Sequence, residues 1–185
     1  MTKGNKMTNK TITRGIEAPD YDDLLGTDLW NEILPNLWQG GTDDFDIIGD
    51  QTYAQPFLRD VAYIKPEDFD TVVTLYQYAN PVGWLVKEYR YCVYDAGIDL
   101  LDKSELFATA RFAYDEWKRG KKVLIRCQAG LNRSGLVMAL VLMQDGYTAE
   151  EAIDLIRQKR NPYALFNKDF VRFLLNLDPA DIKKK

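Results

Sequence analysis

The chain has 185 residues and a formal net charge of −4 at neutral pH, a length that suits one domain with a real core. It contains no histidine and only two cysteines, Cys92 and Cys127, which are not in Cys-x-x-Cys spacing. These counts exclude the usual zinc ligand sets and any catalytic arrangement based on imidazole. The negative charge also argues against a general nucleic-acid binder, so any anion site must be local.

The two ends of the chain differ in composition from its middle. Residues 1–20 are polar and rich in Lys, Thr, Asn and Gly, which predicts a flexible N-terminal arm, and residues 181–185, "DIKKK", predict a C-terminal tail. Residues 21–180 then form one domain. The N-terminus is polar and has no apolar core segment, and no stretch approaches 18 apolar residues, so neither a signal peptide nor a membrane span is predicted. We expect a cytoplasmic protein without a membrane partner.

Patterns typical of strands occupy the first half of the domain. "NEILPNLWQGG" predicts a short strand and a turn, and the irregular sequence from there to residue 69 predicts loops. Residues 70–78, "DTVVTLYQY", and residues 87–95, "KEYRYCVYD", are rich in β-branched and aromatic residues and predict two strands. Cys92, in the second of these, is expected in the core.

Helical patterns dominate the second half. Residues 103–119 carry apolar residues at helical spacing after the candidate N-cap Asp102, and "KKVLIRC" is an apolar run typical of a buried strand. "SGLVMALVLMQDG" is too apolar for a surface helix and predicts a central one. Two more helices follow, the first with the capping-box pair Thr148 and Glu151. The alternation predicts an α/β domain with a central, mostly parallel sheet flanked by helices.

One segment changes character twice within a few residues. In "VLIRCQAGLNRSGLV", residues 123–137, a strand pattern gives way to a polar loop and then to an apolar helix. The unpaired N–H groups at the start of such a helix attract an anion and favour the thiolate form of Cys127. Arg133 offers a planar fork of donors to a tetrahedral anion. The segment predicts an anion site with a sulfur nucleophile; the alternative is an ordinary connection with an inert cysteine.

The residues "CQAGLNRSG" resemble the Cys-x5-Arg-Ser/Thr phosphate-binding loop of the cysteine-dependent protein-tyrosine phosphatase superfamily, and most of all its dual-specificity group. "ILPNLWQGG", "FDTVVTLYQ" and "NPYALFNKDFV" resemble other segments of dual-specificity domains, so the similarity covers about residues 30–177. The resemblance implies the phosphatase fold of that superfamily and hydrolysis of phosphate monoesters through a phosphocysteine intermediate, without a metal or a cofactor.

The resemblance also implies roles for individual residues. Cys127 attacks phosphorus, Arg133 binds the phosphoryl oxygens, and Ser134 donates a hydrogen bond that helps the thiolate leave in the second step. The phosphate-binding loop of the family corresponds here to Gln128, Ala129, Gly130, Leu131, Asn132 and Arg133. The side chains of Gln128 and Asn132 are expected to orient the turn.

A general acid is needed because an aryl or alkyl oxyanion leaves poorly without a proton. In the resembled family the acid is an aspartate about thirty residues before the cysteine; Asp95 fits this separation best and Asp99 is the alternative. Asp102 is assigned to the helix cap instead. Asn167 matches an asparagine that supports the loop in the family, with a simple helix cap as its alternative role.

Two positions depart from the family motif. Arg126 replaces the histidine that usually precedes the cysteine, and we expect its guanidinium to keep donors and positive charge near the thiolate. Asn132, directly before the arginine, resembles the motif of the RNA 5′-triphosphatases in the superfamily.

The sequence therefore predicts a monomeric protein-tyrosine or dual-specificity phosphatase that acts on a phosphoprotein or phosphopeptide. Two alternatives stay open. One is an RNA or nucleotide 5′-phosphatase, against which stands the lack of a basic stripe: "IRQKR" is interpreted as the polar face of a helix. The other is a catalytically silent, phosphate-binding pseudophosphatase.

Overall fold

The computed structural model describes Glu17, residues 28–42 and residues 64–182, which contain a five-stranded sheet and its helices. The strands are β1 Trp30–Leu34, β2 Leu37–Gly40, β3 Thr71–Thr74, β4 Lys87–Arg90 and β5 Val123–Arg126. The helices are α1 Lys103–Lys118, α2 Arg133–Gln144, α3 Ala149–Lys159, α4 Lys168–Leu175 and α5 Pro179–Ile182, and a 3₁₀ turn, Ile98–Leu100, precedes α1.

The sheet has the strand order β1-β2-β5-β3-β4. Only the β1–β2 pair is antiparallel among these strands, and the other three pairs are parallel, so the prediction of a mostly parallel sheet is confirmed. All four residues of the central strand β5 are buried. Ligand sites of such sheets lie at the carboxyl ends of the parallel strands, which is where Cys127 follows β5.

A hairpin occupies the segment for which one short strand and a turn were predicted. β1 and β2 pair around Pro35 and Asn36, and Asn36 adopts φ 64°, a left-handed conformation that asparagine tolerates. The hairpin places β2 in parallel register with β5, with Gln39 opposite Ile125 and Gly40 opposite Arg126. The end of β2 thus lies beside the start of the loop that contains Cys127.

Alternate residues of the strands enter two different cores. Leu37, Val73 and Ile125 join the main core together with buried residues of all five helices, and α2 is buried from Ser134 to Met143, as predicted for a central helix. On the opposite face Trp38, Val72 and Leu124 form a smaller cluster with Trp30, Ile64 and Phe69. Both faces of the sheet are therefore covered within the described residues, the second by side chains that no helix contributes.

Side chains cap the helices at the predicted positions. Asp102 accepts hydrogen bonds from the backbone N–H groups of Ser104 and Glu105 at 2.9 and 3.2 Å, and the Ser104 hydroxyl, together with these groups, holds the pKa of Asp102 below its usual value. Thr148 and Glu151 form the capping box of α3. Both contacts satisfy N–H groups that the first turn of a helix leaves unpaired.

Several local predictions need correction. The predicted strand over residues 87–95 ends at Arg90, and Cys92 is exposed, not buried. Because Val93 enters the main core, the neighbouring Cys92 side chain points to the other side. At the other end, Ile182 is 1% exposed in the main core, so the core reaches into the segment predicted as a tail.

Some predictions lie outside the described residues, namely the loops over residues 43–63 and all of the N-terminal arm except Glu17. The described helices include none that is long and apolar enough to cross a membrane.

A buried carboxylate makes part of the stability of this fold dependent on pH. Burial alone would raise the pKa of Glu116, but hydrogen bonds from Lys87, Arg119 and Thr71 outweigh it and hold the pKa below its usual value. A carboxyl with a lowered pKa in the folded state contributes stability above its unfolded pKa and loses it as the pH falls through the folded pKa. We expect Glu116→Gln to lower the free energy of unfolding by about 1 kcal/mol at neutral pH, since the lysine and arginine partners are largely exposed.

Urea unfolding of wild type and Glu116→Gln at about pH 7 and about pH 3.5 checks this expectation, because the difference between the two proteins should shrink at the lower pH. A difference that stays constant with pH would mean that Glu116 contributes through packing and not through its charge.

Candidate active site

The predicted nucleophile lies between the central strand and the central helix. Cys127 directly follows β5, is 2% exposed, and donates its backbone N–H to the carbonyl of Gly40 at 3.2 Å. Its thiol donates to the hydroxyl of Ser134 in the first turn of α2, with Sγ and Oγ 3.4 Å apart. The residues between them, with Cys127 and Arg133 included, are called the cysteine loop below (residues 127–133).

The cysteine loop packs tightly against the end of β2. Gly130 has φ 72°, and a Cβ atom there would lie 2.4 Å from the carbonyl carbon of Gly40, so a larger residue would have to displace the backbone. On the other side, Thr42 donates its N–H to the carbonyl of Gln128 at 2.8 Å. The hairpin therefore fixes the course of the loop.

A buried arginine from α3's C-terminal end holds the cysteine loop from outside. Arg160 donates from Nε to the carbonyl of Gly130 at 3.1 Å and from Nη2 to the carbonyl of Ala129 at 3.3 Å. Burial lowers the pKa of Arg160, whereas the charges of Cys127 and Asp28 raise it. Because arginine stays protonated in proteins, Arg160 adds a buried positive charge beside the loop.

Arg133, the first residue of α2, has one guanidinium nitrogen that is unpaired among the described residues. Its two Nη atoms donate to the carbonyl of Val93 at 3.3 Å and to Oε1 of Gln128 at 3.4 Å. Its guanidinium lies 5.2 Å from the ring centroid of Tyr76, a cation–π distance. Its Nε is buried and has no hydrogen-bond partner within the described part of the chain. A buried N–H is costly unless an acceptor pairs with it, so this donor is suited to an anion.

Three residues that the sequence singled out separately form one hydrogen-bonded cluster. Asp95 is exposed and accepts from the side-chain amide of Asn132 at one carboxylate oxygen and from that of Asn167 at the other, both at 2.9 Å. The Oδ1 atom of Asn132 in turn accepts the backbone N–H of Asn167 at 3.0 Å. Asn132 is itself part of the cysteine loop, so the cluster attaches the carboxylate of Asp95 to that loop.

Asn167 and Asp99 differ in how they are bonded around this cluster. Asn167 also caps α4 by accepting from the N–H groups of Asp169 and Phe170, so it makes both of the contacts foreseen for it. Asp99 lies on the 3₁₀ turn, where its largely exposed carboxylate pairs with Lys103 at 3.5 Å. Among the two aspartates, Asp95 is the one bonded to the cysteine loop.

Arg126 lies on the face of the sheet opposite to Cys127. Its guanidinium donates to Oγ1 of Thr74 at 2.9 Å and to the carbonyl of Asn80, and it pairs with Glu88 at 3.3 Å. Strand alternation explains this direction, because the preceding even-numbered residue, Leu124, also faces the smaller core. The expectation that the Arg126 guanidinium lies near the Cys127 sulfur is therefore wrong. On the face of the sheet that carries Cys127, the positive charges come from Arg133 and Arg160.

Two residues of this site were missed from the sequence. Gln39 is fully buried in β2 and donates from Nε2 to the carbonyl of Gly130 at 3.1 Å and to Oγ of Ser134 at 3.4 Å. The signal was a polar residue inside an otherwise apolar strand. Arg160 belongs to "IRQKR", which was interpreted as a polar helix face, although Arg160 is 7% exposed. Its signal was weaker, because arginine is common on exposed helix faces.

The described residues contain no group of three His, Cys, Asp or Glu side chains placed to hold a metal ion. What the site brings together is a sulfur atom, a hydroxyl, a carboxylate and an arginine donor at the start of a helix. Such a set can bind a tetrahedral anion and supply a nucleophile and a proton donor.

Comparisons with known proteins agree with this geometry. Residues 101–179 match the family model described as "Dual specificity phosphatase, catalytic domain". A protein of Invertebrate iridescent virus 6 named "Putative tyrosine phosphatase 123R" is 28% identical over 117 residues, which are 57% of this chain and 75% of the viral protein.

Solved structures share the fold. Human DUSP28 superposes with a TM-score of 0.59 at 22% identity, over 80% of this chain and 90% of that one. The human tyrosine phosphatase-like serine/threonine/tyrosine-interacting protein gives a TM-score of 0.58 at 19% identity, over 78% and 92% of the two chains. This chain therefore resembles the dual-specificity phosphatases in sequence and has their fold, which confirms the predicted resemblance and fold class.

Proposed function

We propose that this chain hydrolyses phosphate monoesters as a protein-tyrosine or dual-specificity phosphatase with Cys127 as the nucleophile. The observation that carries the proposal is the buried Nε of Arg133, which has no partner among the described residues and lies at the start of the helix that follows the cysteine loop. An arginine donor and a helix N-terminus together suit the oxygens of a phosphoryl group.

The proposed reaction has two displacements at phosphorus. In the first, Sγ of Cys127 forms a bond to phosphorus, the bond to the ester oxygen breaks, and Asp95 gives that oxygen a proton. In the second, Asp95 takes a proton from water, the water oxygen bonds to phosphorus, and the P–S bond breaks with its electrons returning to sulfur. Arg133 binds the phosphoryl oxygens in both, and Ser134 donates a hydrogen bond to the departing sulfur.

Aromatic side chains next to the site support an aryl phosphate as substrate. Tyr76 packs on the guanidinium of Arg133, and the exposed Tyr78 contacts Tyr76 edge-on with 5.6 Å between ring centroids. Tyr94 is exposed and directly precedes Asp95. We therefore assign a phosphotyrosine-containing protein or peptide as the substrate, with the chain acting as a monomer in the cytoplasm.

The test is hydrolysis of p-nitrophenyl phosphate by the wild-type chain in EDTA, followed by acid quenching to trap a phosphorylated enzyme. We expect turnover and a covalent phosphate on Cys127, located by peptide mass spectrometry. A phosphotyrosine peptide and a 5′-triphosphorylated RNA are compared in parallel, and faster phosphate release from the RNA would overturn the assigned substrate. Tight binding of inorganic phosphate without any turnover would instead identify a pseudophosphatase.

A further inference from the structure

The position of Gln39 is unusual for a polar side chain. It lies in β2, between β1 and β5, is 0% exposed, and its Oε1 is buried without a hydrogen-bond partner among the described residues. Leaving a buried amide oxygen unpaired costs stability. An apolar residue would avoid that cost in a strand whose neighbouring inward residue is Leu37, so the amide group calls for a functional reason.

The hydrogen bonds of Gln39 determine which way its amide points. The carbonyl oxygen of Gly130 can only accept, so the atom of Gln39 that lies 3.1 Å from it must be the amide nitrogen. The second hydrogen of the same NH₂ group then points to Oγ of Ser134, 3.4 Å away. Gln39 thus offers donors only to the cysteine loop and to the first turn of α2.

This arrangement limits what the Ser134 hydroxyl can do. Its oxygen accepts from Gln39 on one side and lies 3.4 Å from Sγ of Cys127 on the other. When sulfur carries the hydrogen, the thiol donates to the hydroxyl; when sulfur is a thiolate, only the single hydrogen of the hydroxyl can bridge the two atoms. With one lone pair of the oxygen engaged by Gln39, that hydrogen is directed away from the amide and toward the sulfur.

Gln39 also helps to orient the peptide group of Gly130. The carbonyl of Gly130 accepts from Nε2 of Gln39 and from Nε of Arg160, each at 3.1 Å, so both of its lone pairs are engaged outside the loop. A carbonyl held in this way does not present its partial negative charge to an anion bound on the inner side.

We infer that Gln39 is a positioning residue that directs the Ser134 hydroxyl to the Cys127 sulfur when the P–S bond of the phosphocysteine breaks. The inference rests on the proposed function. In this step water bonds to phosphorus, its proton passes to Asp95, and the electrons of the P–S bond return to sulfur, whose new negative charge accepts the hydroxyl hydrogen of Ser134. Gln39 therefore acts on the second displacement and not on the first.

The experiment is rapid mixing of p-nitrophenyl phosphate with wild type, Gln39→Met, Ser134→Ala and the double variant. Methionine keeps the volume and removes the donors. Removing a donor that points at developing charge lowers kcat by about 10²–10³-fold. Because Gln39 acts only through Ser134, we expect a smaller effect, a fall in kcat of about 10-fold in Gln39→Met. In Gln39→Met, the initial burst of nitrophenolate, which measures the first displacement, should keep the wild-type rate. Its amplitude should approach one nitrophenolate per enzyme. The double variant should be no slower than Ser134→Ala.

Three results would overturn the inference: an unchanged kcat, equal slowing of the burst and of kcat, or additive losses in the double variant. Binding of tungstate should also stay within about twofold of wild type, since a larger loss would mean that Gln39 shapes the loop and not the hydroxyl. Gln144→Met is the matched control. The buried Nε2 of Gln144 also has no partner in the described part of the chain, but Gln144 lies about 15 Å from Ser134, at the other end of α2.

A separate readout distinguishes failure of this inference from failure of the proposed function. The side-chain NH₂ signals of Gln39 in a ¹⁵N-correlated NMR spectrum should shift in Ser134→Ala, whether or not the enzyme turns over. A wild type without turnover but with this shift would refute the phosphatase proposal while keeping the contact. A wild type with turnover, but without the shift, would refute the role of Gln39 alone.

Discussion

Replacing Cys127 by serine should abolish hydrolysis of p-nitrophenyl phosphate, with kcat lower by about 10⁴-fold or more. A serine hydroxyl at this position keeps its proton at neutral pH and has no base beside it comparable to the histidine of a serine hydrolase. The change is small in volume, and the side chain is 2% exposed at the end of a strand held by β2 and β3. The variant should therefore fold and still bind tungstate.

The chain supplies a matched control for this substitution. Cys92 is exposed and points away from the core face that contains Cys127, so Cys92→Ser should keep wild-type activity. Both variants are assayed in EDTA, with tungstate binding measured calorimetrically to show that the loop is intact. Full activity in Cys127→Ser would remove the sulfur from the mechanism and refute the proposed reaction.

Replacing Asp95 by asparagine should slow hydrolysis of substrates with poor leaving groups by about 10²–10⁴-fold. Phenyl phosphate needs a proton on its departing oxygen, whereas 2,4-dinitrophenyl phosphate hardly does, so the loss should be small for the second substrate. The new amide keeps an oxygen for one of the two asparagine donors, Asn132 or Asn167, which preserves part of the cluster. The ratio of the kcat values for the two substrates is the quantity to measure.

Asp99→Asn is the comparison that decides between the two candidate acids. Its carboxylate is exposed and paired with Lys103, so we expect the same dependence on leaving group as in wild type. An equal loss on both substrates in Asp95→Asn would indicate that the carboxylate only braces Asn132. A loss in Asp99→Asn that is much larger for phenyl phosphate than for 2,4-dinitrophenyl phosphate would transfer the role of acid to that residue.

Local patterns in the sequence predicted those features that local interactions determine. The apolar run before Cys127, the mostly apolar helix after it and the Asp102 and Thr148 caps depend on neighbours a few residues away, and all are found where expected. The loop itself is a contiguous motif, which is why Cys127 and Arg133 were identified together.

Features that depend on distant pairing were not predictable in the same way. Cys92 was expected in the core because bulky residues alternate around it, but β4 is an edge strand that ends at Arg90, before Cys92. The partners of the Arg126 guanidinium, Thr74 and Glu88, lie on β3 and β4, far from Arg126 in the sequence. The contacts of Gln39 and Arg160 with the cysteine loop likewise require a tertiary structure that no local pattern specifies.

The packing of the hairpin on the cysteine loop has a consequence for how the protein acquires its site. Gln39 and Gly130 are 91 positions apart, so their contact closes a long stretch of chain, which is a slow and entropically costly event. The hairpin leaves the ribosome long before Cys127 and α2 do. It contacts the cysteine loop only when the sheet assembles. Residues 101–179, the part that matches the family model, contain Cys127 and Arg133 but neither β2 nor Asp95. The cysteine loop should therefore reach its final shape only when the sheet is complete, late in folding.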